Sequence, residues 1–355
     1  MAFSLSNNIS PLVFSSAFAE LTFETDIASV RFSLQDNSND KTIWESTLYS
    51  YSGKIVLYDL SSLMELYMRE TSSAYRAFRV VARSGNSVIF QKAWGVIFCQ
   101  RRFASDVAEL STKMFLSTIH SKMSFVGSVE QVARYAVQGK DSTERLEVVY
   151  DDATGERKVS TIVRNKGTFP KTEAVVSIVD YNKMLVDLKA TRILSVMLSA
   201  GQRAFTFYYG EKPTIAFLFR NAFNVIEVAP IFGTIKRITE ISKSTATCNG
   251  IDSFYDRKET HAYEISTADL TLHQAQWLEQ MWCSSEVWLY VNGIVPDDFY
   301  KILIIEHDSE ISDADDKLCE LKFKFKFPDG RTLISDINDQ TADDIFTYQY
   351  QLQFS

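Results

Sequence analysis

LKFKFKF, residues 321–327, alternates apolar and charged side chains with a period of two. Leu321, Phe323, Phe325 and Phe327 fall on one side of an extended chain, and three lysines fall on the other. An antiparallel strand with one buried face and one solvated face produces this pattern. The stretch therefore predicts a strand whose apolar side chains enter a core and whose lysines face solvent.

The last ten residues, FTYQYQLQFS at 346–355, keep the same period without any charge. One face carries aromatic and leucine side chains, and the other carries Gln349, Gln351 and Gln353. A strand without lysine, proline or a bulge leaves its backbone groups open to a second strand. We expect this segment to be paired, with its aromatic face in a core and its glutamines toward solvent or a neighbouring subunit.

The composition favours a large β protein. The chain has 355 residues, of which 46% are hydrophobic and 13% aromatic. This length exceeds what one core usually serves, so two or three domains of roughly 100 to 150 residues are expected. The many β-branched and aromatic residues indicate a mainly β, multidomain, β-sandwich-like fold with a few short helices.

Changes in patterning divide the chain into three expected domains. Residues 1–103 read as an N-terminal β-sandwich of immunoglobulin-like size, and alternation is lost where the sequence turns polar near residues 101–108. Residues 104–202 form a middle β-rich domain. Residues 203–355 form a C-terminal antiparallel β domain in which one helix, 271–282, packs on the sheet.

Two helices and one hairpin are specified locally. In residues 59–68, Asp59 or Ser61 is expected to cap a helix. Its expected apolar face comprises Leu60, Leu63, Leu66 and Tyr67. Thr271 is the expected cap of the second helix, whose buried stripe comprises Leu272, Ala275, Leu278 and Met281 or Trp282.

The hairpin is predicted at residues 145–164, which read RLEVVYDDATGERKVSTIVR. Its turn residues suit tight backbone geometry, which explains the Asp151-Asp152 pair better than a metal site does. The expected inward side chains are Leu146, Val148 and Tyr150 on the first strand, facing Val159, Thr161 and Val163 on the second.

Charge and hydropathy argue against nucleic-acid and membrane partners. The formal net charge is −8, and lysine and arginine are scattered along the chain. No stretch approaches the roughly 20 apolar residues of a membrane span. The N-terminus lacks the basic region of a signal peptide although Ala17-Phe18-Ala19 imitates a cleavage site. We therefore expect a soluble protein that is made in the cytoplasm and not secreted by the usual route.

The cysteines and histidines do not form sites. Cys99, Cys248, Cys283 and Cys319 are widely separated and contain no CxxC pair, which predicts free thiols. His120, His261, His273 and His307 lack metal-ligand spacing, and no nucleophile elbow, P-loop or GxGxxG motif is present. No catalytic, cofactor or metal site is therefore expected, and the chain reads as a non-enzyme.

The acidic stretch HDSEISDADDK, residues 307–317, resembles a calcium loop in composition. It lacks the central glycine and the glutamate at the twelfth position that such a loop needs. We expect Asp308, Asp313, Asp315 and Asp316 to lie in a solvated loop without structural calcium.

Tyr208 and Tyr209 are the best candidates for an exposed aromatic contact. Because they are consecutive in a strand-like stretch, one of the two must point away from the core. Together with Gln349, Gln351 and Gln353 they form the expected interaction surface.

The stretch FLFRNAFNVIEVAPIFGTIKRITEIS at 217–242 resembles tail-region structural proteins of prophages in gut Bacteroidetes. The shared points are the Phe-Arg-Asn-x-Phe run at 219–223, Gly233 after an aromatic residue, Asn249-Gly250, Arg257-Lys258, and a threonine-capped helix ending in aromatic residues. The resemblance covers residues 203–295. This chain carries Asn224 where the family pattern has a glycine after the aromatic residue.

The resemblance implies a virion tail or baseplate component that associates with itself or with neighbouring tail proteins. Strand addition and sheet packing would then provide the contacts. The alternative is a carbohydrate or host-surface binding module that works as a monomer and would bind surface glycan through exposed aromatic rings. An enzyme of an unfamiliar type is the third and weakest reading.

Overall fold

The computed structural model describes residues 3–102, 106–165, 167–248, 251–291, 298–308 and 318–328. Across these ranges the chain is mainly β, with several sheets in a multidomain, β-sandwich-like arrangement and a few short helices. The predicted fold class is confirmed.

Two sheets and one helix form the N-terminal sandwich. The strands are β1 (Phe3–Leu5), β2 (Leu12–Phe14), β3 (Leu21–Thr25), β4 (Ser29–Asp36), β5 (Thr42–Tyr49), β6 (Lys54–Leu57), β7 (Tyr75–Ser84) and β8 (Ser87–Ile97). They pair in the orders β1-β3-β6 and β2-β8-β7-β4-β5. The short 3₁₀ turn Ser15–Ala17 follows β2, and α1 (Leu60–Glu70) follows β6. Phe23, Phe32, Phe78 and Trp94 fill the space between the sheets.

Helix α1 is present, and Leu60 and Tyr67 of its predicted face are buried, but the prediction is wrong for Leu66 and for a side-chain cap. The buried side chains are Leu60, Met64, Tyr67 and Met68, whereas Leu66 is exposed. These four lie at positions i, i+4, i+7 and i+8, which form one side of a helix. Asp59 has a left-handed backbone and its side chain makes no cap hydrogen bond.

The middle region contains two further sheets. Its elements are α2 (Val107–Lys113), β9 (Ser121–Phe125), β10 (Val129–Ala136), β11 (Glu144–Asp152), β12 (Arg157–Arg164), β13 (Glu173–Asp180), α3 (Tyr181–Leu188), β14 (Ala190–Ala200) and β15 (Arg203–Gly210). The strand orders are β12-β11-β14-β15-β9 and β10-β13.

The β11–β12 hairpin is confirmed, but the predicted facing is shifted by one residue. Leu146 pairs with Ile162, while Val159 pairs with Val149 and Val163 with Arg145. Val159 and Val163 are therefore exposed on the outer face. A one-residue difference in register moves every side chain of a strand to the opposite face, and the register follows from the loop that joins Asp151 to its partner Arg157.

A seven-stranded sheet dominates the C-terminal region. Its elements are β16 (Ile215–Arg220), β17 (Ile226–Ile231), β18 (Gly233–Cys248), β19 (Ile251–Thr267), α4 (Leu272–Trp282), β20 (Val287–Leu289), the 3₁₀ turn Asp298–Tyr300, β21 (Lys301–Asp308) and β22 (Lys322–Lys326). The strand order is β17-β16-β20-β21-β22-β19-β18.

The two strongest local predictions for this region are confirmed. Leu321, Phe323, Phe325 and Phe327 are buried, as their alternation predicts. Helix α4 begins after Thr271, which forms a capping box with Gln274. The buried residues of α4 include Ala275, Leu278 and Met281, and also Trp277 and Gln280.

The division at residues 202 and 203 stays a prediction. It falls in the turn between β14 and β15. These two strands pair directly, from Ser195 opposite Tyr208 to Ala200 opposite Arg203. One hydrophobic cluster also continues from Phe115 in the middle region to Phe327 in the C-terminal region. The middle and C-terminal sheets therefore share a core.

The turn between β16 and β17 joins the regions of the molecule. The Asn221 amide donates to the Leu116 carbonyl over 2.8 Å. The Gln100 amide donates to the Ala222 carbonyl over 3.1 Å, and the Ala222 amide donates to Gln280 of α4 over 2.9 Å. One short turn is thus bonded to the end of the sandwich, to the middle region and to the helix.

Asn224 belongs to the same turn, residues 221–225, which we call the joint between the regions. Its φ angle is +60°, the left-handed region that favours glycine or asparagine. Its side-chain amide donates to the Met68 carbonyl over 2.9 Å and to the Ser73 carbonyl over 3.1 Å. Asparagine therefore satisfies the backbone geometry of a glycine position and adds two bonds to the N-terminal sandwich.

Candidate interaction surfaces

The structure separates the two predicted tyrosines. Tyr208 is 49% exposed, whereas Tyr209 is 5% exposed and its ring lies 4.9 Å from that of Tyr181. Alternation along β15 puts them on opposite faces, as expected. The choice of Tyr209 as a contact residue is corrected, and Tyr208 remains a candidate.

Tyr208 belongs to a row of side chains across the outer face of the middle sheet. Strand pairing aligns Val159 with Val149, Val149 with Ser195, Ser195 with Tyr208, and Tyr208 with Met123. Val159 and Met123 are exposed like Tyr208. The row is uncharged from one edge of the sheet to the other.

Several predicted positions lie outside the described residues. Gln349, Gln351 and Gln353 are among them, with the whole stretch 346–355, and so are Asp313, Asp315 and Asp316. Asp308 is described, and it ends β21 as an exposed residue. Within the described ranges no group of three or more acidic, histidine or cysteine residues is arranged to hold a metal ion.

Three exposed tyrosines in the N-terminal sandwich were not predicted. Tyr51 is 86% exposed, Tyr49 76% and Tyr58 61%. Tyr49 ends the edge strand β5, and Tyr51 opens the turn into β6. The Ser52-Gly53 turn signal could have indicated their exposure, because residues next to a tight turn leave the core.

The longest hairpin of the described chain is formed by β18 and β19. Strand β19 pairs with β22 at Tyr263–Ser266, while β18 and β19 pair with each other as far as Cys248 and Ile251. Ile241 and Phe254 are exposed beyond the pairing with β22, and the Lys243 ammonium lies 4.9 Å from the Phe254 ring centre. We call residues 237–248 of β18 and 251–262 of β19 the arm.

A cleft with polar and apolar lining residues lies where the three regions meet. It has a volume of about 690 Å³ and includes Arg76, Lys171 and Arg220 among its lining residues. Each of these cations has an acidic partner: Arg76 pairs with Asp36, Lys171 with Glu173, and Arg220 with Glu286. The positive charges of these three side chains are therefore compensated by the protein.

A buried ionisable cluster lies between the middle and C-terminal sheets. The Lys122 ammonium lies 2.7 Å from Glu130 and donates to the Val228 carbonyl over 2.6 Å. The indole of Trp277 donates to Glu227 over 2.6 Å. Burial raises the pKa of Glu227, although the nearby Lys122 charge and hydrogen bonds to its carboxylate lower it.

The position of Lys122 indicates a structural role for this cluster. Strand β17 is an edge of the seven-stranded sheet. Lys122 and Gln131 donate to the Val228 and Ile226 carbonyls of that strand. Side chains of the middle region thus satisfy edge groups that would otherwise be open to another strand.

The cysteines whose side chains are described are free. Cys99 and Cys319 are buried, and Cys283 is exposed. Burial raises the pKa of the Cys99 thiol to about 11. The Cys248 side chain lies outside the described residues. The prediction of free thiols is confirmed for these three.

Within the described ranges, no helix has the length and apolar character required to cross a membrane.

Comparisons with known proteins find only weak structural similarity. No protein-family model matches the chain, and no curated protein matches it. Among solved structures, the calcium-binding domain CBD12 of CALX1.1 is 9% identical with a TM-score of 0.19, covering 59% of this chain and 100% of its own.

Two larger proteins have similarly low sequence identities and TM-scores. Trypsin-activated alpha-2-macroglobulin from Escherichia coli is 8% identical with a TM-score of 0.21, covering 74% of this chain and 22% of its own. The plexin A4 extracellular region is 8% identical with a TM-score of 0.22, covering 91% of this chain and 39% of its own. The chain therefore spans well under half of these two proteins.

Proposed function

We propose that this chain is a non-enzymatic structural protein that acts by self-association, as a component of a phage or prophage tail or baseplate. The observation that carries the proposal is the arm. A two-stranded hairpin is marginally stable by itself in water. The arm nevertheless continues past its pairing with β22 and exposes Ile241 and Phe254.

The dimensions of the arm suit contact with a neighbouring subunit. Residues 251–262 of β19 precede the segment paired with β22. At roughly 3.3 Å per residue they extend about 40 Å. An exposed strand pair of this length gains stability when another surface covers its apolar side chains.

The assignment to a tail or baseplate rests on the resemblance over residues 203–295, which include the arm. The Phe-Arg-Asn-x-Phe run of that resemblance forms the turn that holds the regions together. A structural subunit benefits from such a joint because it fixes the orientation of its sheets. In this role the protein would be made in the cytoplasm and incorporated into the virion tail, where its partners are copies of itself and other tail proteins.

Sedimentation velocity over a range of protein concentrations tests the assembly. We expect the mass-average sedimentation coefficient to rise with concentration. Replacing Ile241 and Phe254 together by serine should weaken association without changing the circular dichroism spectrum. Val88→Ser, which alters an exposed apolar residue of the N-terminal sandwich, is the matched control. A wild-type monomer at every concentration contradicts the proposal.

The alternative is a carbohydrate or host-surface binding module, which Tyr49, Tyr51 and Tyr58 favour. Exposed aromatic rings stack on the apolar faces of sugars. A glycan array followed by melting measurements with the bound glycan tests this function. Tyr49→Ala combined with Tyr51→Ala should abolish any glycan-induced rise in melting temperature, while Tyr208→Ala should keep it. If no glycan binds, this alternative fails.

A further inference from the structure

A row of alternating charges crosses the last four strands of the seven-stranded sheet and stops at its edge. Glu306 pairs with Lys324, Lys324 with Glu264, and Glu264 with Lys236. The Lys324 ammonium lies 2.6 Å from Glu306 and 3.8 Å from Glu264. From β21 to β18 the signs therefore run negative, positive, negative, positive.

Lys236 stands on β18, the last strand of this sheet. Within the described ranges β18 pairs with β19 and with no strand on its other side. Opposite charges on directly opposed residues stabilise strand pairing, and like charges oppose it. A strand added at this edge would continue the row if it placed an acidic residue opposite Lys236.

We propose that the β18 edges of two copies of this chain pair antiparallel around Ile238. This inference rests on the proposed self-association and identifies the surface that performs it. In an antiparallel pair, directly opposed side chains lie on the same face of the sheet. With Ile238 on the twofold axis, Lys236 of each copy stands opposite Glu240 of the other. The charge row of each copy is then extended by one acidic residue, Glu240 of the other copy, which is paired in its own chain with the uncharged Thr260.

The other face of β18 is complementary in the same register. Ile235 stands opposite Ile241 of the second copy, and Arg237 stands opposite Thr239. On the face that carries Lys236 and Glu240, Ile238 meets its own counterpart on the axis. The exposed Ile241 is therefore covered by an isoleucine that already packs against the core. The Ile235–Ile241 and Lys236–Glu240 pairs each occur twice by symmetry, and the Ile238 pair occurs once.

Neighbouring registers do not place opposite charges against each other. An axis at Thr239 sets Glu240 against Ile238 and Lys236 against Ser242. An axis at Glu240 sets two glutamates against each other, and an axis at Arg237 does the same with two arginines. Charged side chains on an edge strand generally discourage pairing. Here their signs favour one register of a self-complementary pair.

A charge swap tests the pairing by sedimentation velocity. Lys236→Glu and Glu240→Lys each replace two attractive pairs by two repulsive ones, so each should raise the dimer dissociation constant at least about tenfold. The double variant Lys236→Glu with Glu240→Lys restores opposite signs and should recover most of the affinity. Circular dichroism and melting temperature check that each variant folds.

Lys183→Glu is the matched control, because it makes the same charge change at an exposed lysine of α3, outside β18 and the arm. We expect it to leave the dissociation constant within about threefold of the wild-type value. Single variants that associate like the wild type overturn the inference but leave self-association through another surface intact. Failure of the double variant to recover overturns the register and the inference with it. A wild-type monomer overturns both proposals.

Discussion

Asn224 shows how one side chain can serve the backbone and a contact between regions. Glycine is the usual residue at positive φ because it has no Cβ atom. Asparagine tolerates the same region, and here its amide also reaches two carbonyls of the N-terminal sandwich. The departure from the family pattern at this position therefore has a structural explanation.

Substitutions at Asn224 should separate the two contributions. Asn224→Gly keeps the backbone geometry but loses two hydrogen bonds, which predicts a loss of about 1 to 3 kcal/mol in the free energy of unfolding. Asn224→Ala should cost about 1 kcal/mol more because a Cβ atom disfavours this φ angle. Urea unfolding measures both. An alanine variant as stable as the glycine variant contradicts the backbone argument.

Asp36 should make stability depend on pH. Its side chain is fully buried. Burial alone would raise its pKa, but hydrogen bonds from Ser38 and Tyr67 and the charge of Arg76 together hold the pKa below its usual value. A carboxylate with a lowered folded-state pKa stabilises the fold above its unfolded pKa of about 4, and this contribution disappears as the pH falls through the folded value.

The matched variant is Asp36→Asn. We expect it to cost about 1 to 3 kcal/mol of unfolding free energy at pH 7 and clearly less at pH 3 and below. Chemical unfolding of both proteins across this range gives the difference. A difference that stays constant from pH 7 into the acid range would show that the Asp36 charge does not contribute.

The cysteines should differ in reactivity. At pH 8 the exposed Cys283 should react with a thiol reagent in the native protein, whereas buried Cys99, with a pKa of about 11, should not. The protein denatured without reductant should give four thiols. Cys283→Ser should remove one fast-reacting thiol. An unchanged fast phase in that variant, or two or fewer thiols after denaturation, contradicts this prediction.

At the scale of elements, the seven-stranded sheet treats its two edges differently. The β17 edge is closed by Lys122 and Gln131 from the middle region. The β18 edge lies at the opposite end of the sheet and carries the arm. Closing one edge and leaving the other to a second copy directs association to a single surface.

The terminal stretch 346–355 lies outside the described residues, and its pairing stays a prediction. Deleting it should lower the melting temperature, because burial of each large apolar side chain contributes about 1.5 to 3 kcal/mol. Changing Gln349, Gln351 and Gln353 together to lysine should keep the fold and weaken association through that face. A deletion variant that melts like the wild type disproves the pairing, and a triple variant that associates normally disproves the interface.

At the scale of the whole molecule, the cores define how the regions depend on one another. The N-terminal sandwich has its own hydrophobic cluster, while the middle and C-terminal sheets share one. The Lys122 ammonium lies over Phe207 of the middle sheet and Trp277 of α4, 5.8 and 5.7 Å from their ring centres. We infer that the middle and C-terminal regions unfold together.

Two matched leucine substitutions test this cooperativity. Leu198 of β14 and Leu34 of β4 are both fully buried, so each change to alanine should cost about 2 to 5 kcal/mol. Leu198→Ala should increase hydrogen exchange in both the middle and the C-terminal strands. Leu34→Ala should increase it mainly in the N-terminal sandwich. Faster exchange confined to the middle sheet after Leu198→Ala contradicts the shared unit.

The sequence by itself determined the features that depend on neighbouring residues. Strict alternation specified the buried face of residues 321–327, and the Thr271 cap specified the start of α4, because both are encoded within a few positions. Tertiary structure decided the exposed face of Val159, the joint at Asn221 and Asn224, and the charge row that ends at Lys236. These features depend on strand register and on contacts between residues far apart in the chain, which local patterns do not encode.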